Sequence, residues 1–181
     1  MAKKQKKRII LTGAQGTGKT TLMNELSKDG TRTLSVARQF ATDNNWSAEN
    51  GTNEEYQKNL FKTLKKELSS KKNYISDRGL TCVAAYTFEK AVSGEIAKEV
   101  ADSQYIDIVK FANDNPDALL AYVPVEFDIE DDGVRNVDKD HQAAIDFLIR
   151  NILETSGIKY ITVTGSVEDR VKQIEDALSN M

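Results

Sequence analysis

Cysteine, histidine and long apolar runs are what this 181-residue chain has least of: it holds one cysteine, Cys82, and one histidine, His141. A single cysteine permits no internal disulfide, and a single histidine removes the usual zinc clusters. No stretch approaches the roughly 20 apolar residues of a membrane-spanning helix. A signal peptide needs a continuous apolar segment behind its charges, whereas Ile9-Ile10-Leu11 gives way at once to Thr12-Gly13. Internal repeats and low-complexity linkers are missing too. These absences fit a chain of the reducing cytoplasm with no membrane partner. Net positive charge is also lacking: the formal net charge is -3 and the pI about 5.3, which argues against a surface devoted mainly to nucleic acid.

What is present reads as one globular domain. Apolar residues make up 39% and charged residues 29%, and the length suffices to bury a central sheet between helices. Positive charge gathers at one end, where Lys3, Lys4, Lys6, Lys7 and Arg8 form a basic arm over residues 1–8, ahead of a single domain at 9–181. Such an arm is either a solvated tail or a phosphate-binding extension that admits nucleic acid as a partner.

Periodicity then alternates. Residues 8–12 are a β-branched strand ending in glycine, and 17–27 show helical spacing through Leu22, Met23 and Leu26. A second strand is expected at 31–36, followed by a polar surface loop at 42–53 that contains Trp46. Thr52 and Glu55 have capping-box spacing ahead of a helix with Tyr56, Leu60, Phe61, Leu64 and Leu68 on one face. A third strand at 73–76, helices at 80–92 and 94–113, and a buried strand at 118–125 follow. Residues 127–140 are acidic and irregular. A helix runs from Asp138 through Ile152 until Gly157, a fifth strand spans 159–164, and Ser166 with Asp169 opens the last helix. Alternating strands and helices imply a mainly parallel sheet covered on both faces, with ligands outside the carboxyl ends of its strands.

Three groups fall at those ends. Gly13-Ala14-Gln15-Gly16-Thr17-Gly18-Lys19-Thr20 matches G-x-x-x-x-G-K-[ST] between a strand and a helix. Glycines let backbone N–H groups turn toward phosphate oxygens, and the helix N-terminus adds positive charge. Lys19 is expected to bridge the terminal phosphates and the Thr20 hydroxyl to bind Mg²⁺, with Thr21 completing the nucleotide contacts. The nucleotide is ATP, with GTP as the alternative. Asp77-Arg78-Gly79 follows the third strand; Asp77 can take a proton from an acceptor hydroxyl or hold the metal, and Arg78 can clamp an anion. The third group, Glu130-Asp131-Asp132-Gly133-Val134-Arg135, is either a solvated acidic loop or a lid whose Arg135 neutralises a transferring phosphoryl group.

Together the phosphate loop, Ser-Asp-Arg-Gly, Pro-Val-Glu-Phe, Asp-Asp-Gly-Val-Arg and Gly-Ser-Val-Glu-Asp-Arg-Val resemble small P-loop kinases of the nicotinamide-riboside-kinase-like group. These are near the nucleoside and nucleotide kinases and carry an AAA-type ATP-binding domain. The resemblance covers nearly the whole chain. It implies a three-layer α/β P-loop NTPase fold, a five-stranded parallel sheet of order 2-3-1-4-5, and a lid at about 127–140. It also implies Mg-ATP as donor, Gly165, Ser166 and Val167 beside the adenine, and Arg170 near the nucleotide. Arg38, Asp77, Arg78 and Tyr86 fall on the acceptor side. Kinases of this kind often carry an acidic residue three places before that arginine; here the position is Ser35.

The leading expectation is therefore Mg-ATP-dependent transfer to a hydroxyl of a nucleoside, nucleotide or related small molecule. One alternative acceptor is a polynucleotide 5′-hydroxyl or a hydroxymethylated base such as 5-hydroxymethyluracil in DNA. Another reading is an ATPase or switch with a protein partner. Trp46 is expected to anchor its loop or to stack on substrate, Cys82 to be a small buried residue, Tyr86, Phe88 and Tyr105 to join the helical core, and His141 to sit in a first helical turn.

Overall fold

A computed structural model describes residues 7–46, 53–70, 72–126 and 138–181. Among them, β1 (Arg8–Thr12), β2 (Thr33–Leu34), β3 (Tyr74–Ser76), β4 (Leu119–Tyr122) and β5 (Ile161–Thr162) form one sheet in the order β2-β3-β1-β4-β5, with every pair parallel. The helices are α1 (Lys19–Leu26), α2 (Val36–Asp43), α3 (Glu54–Leu68), α4 (Leu80–Val92), α5 (Lys98–Asp114), α6 (Lys139–Ser156) and α7 (Val167–Ser179). This is the three-layer arrangement and strand order that the resemblance implies.

Central strand β1 explains the layers. All five of its residues are buried, and successive side chains of a strand point to opposite faces. Ile9 and Leu11 join Leu22, Leu26 and Ile174 of α1 and α7. Ile10 enters the other cluster with Leu64, Val83, Ile108 and Ile149 of α3, α4, α5 and α6. An unbroken apolar run thus serves two cores.

Arg8 departs from the solvated arm. It is wholly buried as the first residue of β1. Its guanidinium pairs with Asp117, donates to the Leu68 carbonyl at 3.0 Å and to Asn115 Oδ1 at 2.8 Å, and lies 5.6 Å from the centre of the Tyr74 ring. A buried cation needs such partners to offset its lost hydration. Residues 1–6 lie outside the described residues.

The region after β1 and α1 differs most from expectation. The second strand is only Thr33–Leu34, and α2 takes Val36, the last residue of the expected strand, and runs into the start of the expected polar loop. Val36, Ala37 and Phe40 supply helical spacing, and all three pack on the α3–α6 side of the sheet. Trp46 follows α2: its N–H donates to the Ala41 carbonyl at 2.8 Å, and its ring stacks on Tyr56 at 5.8 Å. Tyr56 in turn meets Phe40 edge-on, so the tryptophan anchors this segment to α3. At the start of α3 the cap is Asn53, whose side chain accepts from the Tyr56 N–H at 2.8 Å, in place of the Thr52–Glu55 pair; Thr52 lies outside the described residues. The expected box at α7 is present, with Ser166 and Asp169 each accepting from the other's backbone N–H at 3.1 Å.

Candidate active site

Each carboxyl end carries part of one site. From β1 the chain enters the phosphate loop, where Gly13 has φ +152° and a β-carbon there would stand 2.2 Å from the Val123 carbonyl oxygen behind β4. Only glycine lets the two backbones approach this closely. Gly16 and Gly18 also hold positive φ, and α1 begins directly after Gly18 with no acidic residue in its first turn. The Lys19 ammonium folds over the loop, donating to the Ala14 carbonyl and to Thr17 Oγ1, and the Thr17 hydroxyl donates to the same carbonyl at 3.2 Å. Thr20 is half-buried and Thr21 exposed on the first turn of α1. The loop therefore combines backbone amides, a helix N-terminus and an ammonium with no carboxylate of its own, a donor set suited to a polyanion.

Two struts hold the loop from its sides. Arg170 on α7, 2% exposed, donates from Nη1 to the Thr17 carbonyl at 2.8 Å. Its Nη2 pairs with the Glu126 carboxylate, which also accepts from the Gly165 N–H at 3.1 Å. Glu126 and Arg170 thus join the ends of β4 and β5 to the phosphate loop. On the other side, Gln142 of α6 donates to the Gln15 carbonyl at 2.7 Å, and the Tyr86 hydroxyl of α4 donates to Gln15 Oε1 at 3.0 Å. Burial raises the Tyr86 phenol above its ordinary pKa, against the opposing influence of the Arg78 guanidinium, so the hydroxyl stays a neutral donor.

The neighbouring strand supplies the second half. Because Ser76 is in register with Ile10, Asp77 emerges beside β1, about 4.8 Å across the sheet, just before the phosphate loop begins. It is 8% exposed; its N–H donates to the Leu34 carbonyl at 3.2 Å, and its Oδ2 accepts from the Ser35 hydroxyl at 3.1 Å. Arg78 is half-buried, 6.0 Å from the centre of the Tyr86 ring. Gly79 brings α4 against β1, since a β-carbon there would lie 3.1 Å from Ile10 Cγ2. Thr12 hydrogen-bonds Thr81 and Cys82 across that contact, where Cys82 is a small buried residue.

Some expected members stand apart. Arg38 is exposed on α2, and no contact ties it to Asp77. Arg135 and the acidic residues around it lie outside the described residues, as does most of the proposed lid. Lys7, the arm residue that precedes β1, donates to Asp29 at 2.8 Å and to the Leu26 carbonyl at 2.7 Å, at the end of β1 opposite the phosphate loop. Among the described residues no group of three or more His, Cys, Asp or Glu could hold a metal ion, and no helix is long and apolar enough to cross a membrane. Glu126 falls in the Pro-Val-Glu-Phe motif but is given no role by the sequence, and Gln142 is not singled out at all. The signal for Glu126 is that motif and its place just beyond the fourth strand; a lone glutamine on α6 carries none.

This architecture, with its phosphate loop at the end of β1, defines a small P-loop nucleoside- and nucleotide-kinase-like fold. A family model described as an AAA domain matches residues 8–170, and the chain belongs to that family. No curated protein matches it in sequence. Among solved structures, the NadR protein in complex with NR has a TM-score of 0.73 at 16% identity, over 97% of this chain and 52% of that one. This chain therefore spans about half the length of the NadR chains it matches. Deoxyadenosine kinase from M. mycoides has a TM-score of 0.63 at 16% identity, over 96% of this chain and 98% of that one. Shikimate kinase from Aquifex aeolicus has a TM-score of 0.60 at 18% identity, over 96% of each chain. At these identities the shared property is the fold.

Proposed function

We propose that this chain is a kinase that transfers the γ-phosphoryl group of ATP, with GTP as the alternative donor, to a hydroxyl of a nucleoside, nucleotide or related small molecule. The observation that carries the reading is the pairing of two chemistries on adjacent strands: a phosphate loop at the end of β1 and a largely buried carboxylate, Asp77, at the end of β3. A switch or plain ATPase uses a carboxylate at such a strand end for the metal alone; the arginine beside it, Arg78, favours a site that also holds an acceptor. Several solved structures of this fold are kinases by name, and one holds AMP-PNP, which supports the donor.

In this reading Lys19 leaves the Ala14 carbonyl for the terminal phosphates, and the loop amides hold the β- and γ-phosphates. Asp77 takes the proton of the acceptor hydroxyl as the new O–P bond forms and the bond to the leaving ADP breaks. Arg78 and Arg135 balance the charge on the transferring group. The hydroxyl of Thr20 is a hard oxygen donor that fits Mg²⁺, with phosphate and water oxygens completing the set; Asp77, as the base, would face the ion only through one of those waters. Bound there, the ion neutralises phosphate charge. Arg170 and the 165–167 turn serve the nucleotide, and Arg38 and Tyr86 serve the acceptor side.

The test is a transfer assay with γ-labelled ATP against nucleosides, nucleotides, nicotinamide riboside, and oligonucleotides bearing a 5′-hydroxyl or hydroxymethyluracil. Label in a nucleoside or nucleotide supports the proposal. Label confined to oligonucleotides makes the acceptor a polymer and would bring the basic arm into play, and label found only as free phosphate overturns transfer altogether.

A further inference from the structure

Ser35 occupies the N-cap position of α2, yet its side chain accepts no hydrogen bond from that helix. Serine at such a position ordinarily satisfies one of the unpaired N–H groups of the first turn. No acidic residue in the first turn of α2 offers the helix an alternative. The hydroxyl instead reaches across from the end of β2 to the end of β3 and donates to Asp77 Oδ2 at 3.1 Å. The two backbones are already tied at this point, through the Asp77 N–H and the Leu34 carbonyl. A side chain has thus been withdrawn from a local stabilising role and committed to one carboxylate oxygen.

We propose that Ser35 is the positioning residue for Asp77, fixing the carboxylate by occupying Oδ2 and leaving Oδ1 for the acceptor hydroxyl. The role rests on the reading of Asp77 as the proton acceptor. The geometry suits it. Asp77 is 8% exposed, so few waters compete to orient it, and its side-chain hydrogen bond in the structure is the one from Ser35. A carboxylate free to rotate would present its lone pairs to the acceptor only part of the time, and small misplacements of a reacting group are costly. A hydroxyl also orients without adding charge. A second carboxylate at this distance would compete with Asp77 for the acceptor's proton, whereas serine donates its own proton and leaves the nearby cation, Arg78, for the phosphoryl group.

Ser35→Ala, Ser35→Thr and Asp77→Asn test this in the whole chain. Steady-state transfer from γ-labelled ATP is measured on the panel acceptor with the highest kcat/KM, beside ATP affinity by calorimetry and Tm. Ser35→Ala should lower kcat about tenfold, the loss expected for one hydrogen bond to a charged group. ATP affinity should hold within about twofold, because the hydrogen bonds of Ser35 go to Asp77 and Gln39 and none to the phosphate loop. Ser35→Thr, which keeps the hydroxyl, should restore kcat to within about threefold of wild type. A ligand-free readout accompanies these: in protein labelled with ¹³C at aspartate carboxyls, the resonance lost in Asp77→Asn should be the one that moves in Ser35→Ala.

Unchanged kcat in Ser35→Ala, or an unmoved Asp77 resonance, overturns the proposal. So does a Ser35→Thr variant as impaired as the alanine variant, with Tm lowered in both, since that pattern marks a helix start and not an oriented carboxylate. If Asp77→Asn itself keeps wild-type transfer, the base assignment fails first and takes this role with it. An inactive Asp77→Asn beside a fully active Ser35→Ala refutes the positioning role alone.

Discussion

Removing the Glu126 carboxylate alone should harm the protein more than the loss of a half-exposed acidic residue ordinarily does. Arg170 is 2% exposed, and its Nη2 is paired with a glutamate whose side chain is 28% exposed. Breaking a buried pair by deleting one partner costs about 3–5 kcal/mol, because the remaining charge has lost its hydration. Water can reach the Glu126 side, so about 2–3 kcal/mol is the expectation for Glu126→Ala. At about 2–4 °C per kcal/mol for a chain of this size, Tm should fall by about 5–10 °C. Arg170→Met keeps the aliphatic volume but gives up the hydrogen bond to the Thr17 carbonyl; its cost should be about 1–2 kcal/mol, since Glu126 can hydrate. The double variant should then cost less than the sum, with a coupling of about 1.5–2 kcal/mol. Urea unfolding of the four proteins measures the cycle, and calorimetry with ATP should show about tenfold weaker binding in both variants that lack Arg170. Additive stabilities within about 0.5 kcal/mol, or ATP affinity indifferent to Arg170, would refute the strut as described.

Two further substitutions probe other parts of the chain. Gly13→Ala places a β-carbon 2.2 Å from the Val123 carbonyl at a φ of +152°, so β4 must shift; nucleotide binding should be lost and Tm should fall by several degrees, read by calorimetry and thermal unfolding. Gln104 on α5 is 4% exposed, with both amide atoms buried and without a hydrogen-bond partner. Gln104→Leu should therefore stabilise by about 1 kcal/mol, raising Tm by about 2–4 °C, and a fall in Tm would show that the amide is satisfied in solution.

The sheet was legible because its signals are local. Ile9-Ile10-Leu11 reads as a short β-branched strand, the motif reads as a turn between strand and helix, and Ser166–Asp169 reads as a helix start, each from a few adjacent residues. What failed was also local, but contested. Val36, Ala37 and Phe40 carry helical spacing, yet Arg38, Gln39, Thr42 and Asp43 between and after them dilute it, and the β-branched Thr31 and Thr33 before them suggest a longer strand than forms. Tertiary burial of Ala37 and Phe40 against α3 decides the matter, and no window of sequence contains α3's contribution. Arg8 misleads for the same reason: next to four lysines it reads as surface charge, while Asp117 and Asn115, its partners, are more than a hundred residues away.

The site divides along the same line. Lys19, Asp77 and Arg170 could be named from sequence because each belongs to a short pattern beside a strand end or a helix start. The contacts that join them could not, since Gln15 meets Tyr86 and Gln142, and Thr17 meets Arg170, across separations of 71, 127 and 153 residues. Those separations carry a mechanical meaning. The phosphate loop is bonded at Gln15 to α4 and α6 and at Thr17 to α7, so any rearrangement of Ala14 to Gly18 that follows release of Lys19 from the Ala14 carbonyl is transmitted to three helices at once. Of these, α4 begins within three residues of Asp77. Arg78, two residues before α4, lies 6.0 Å from the centre of the Tyr86 ring, so the tyrosine that bonds Gln15 also stands beside the arginine that follows Asp77.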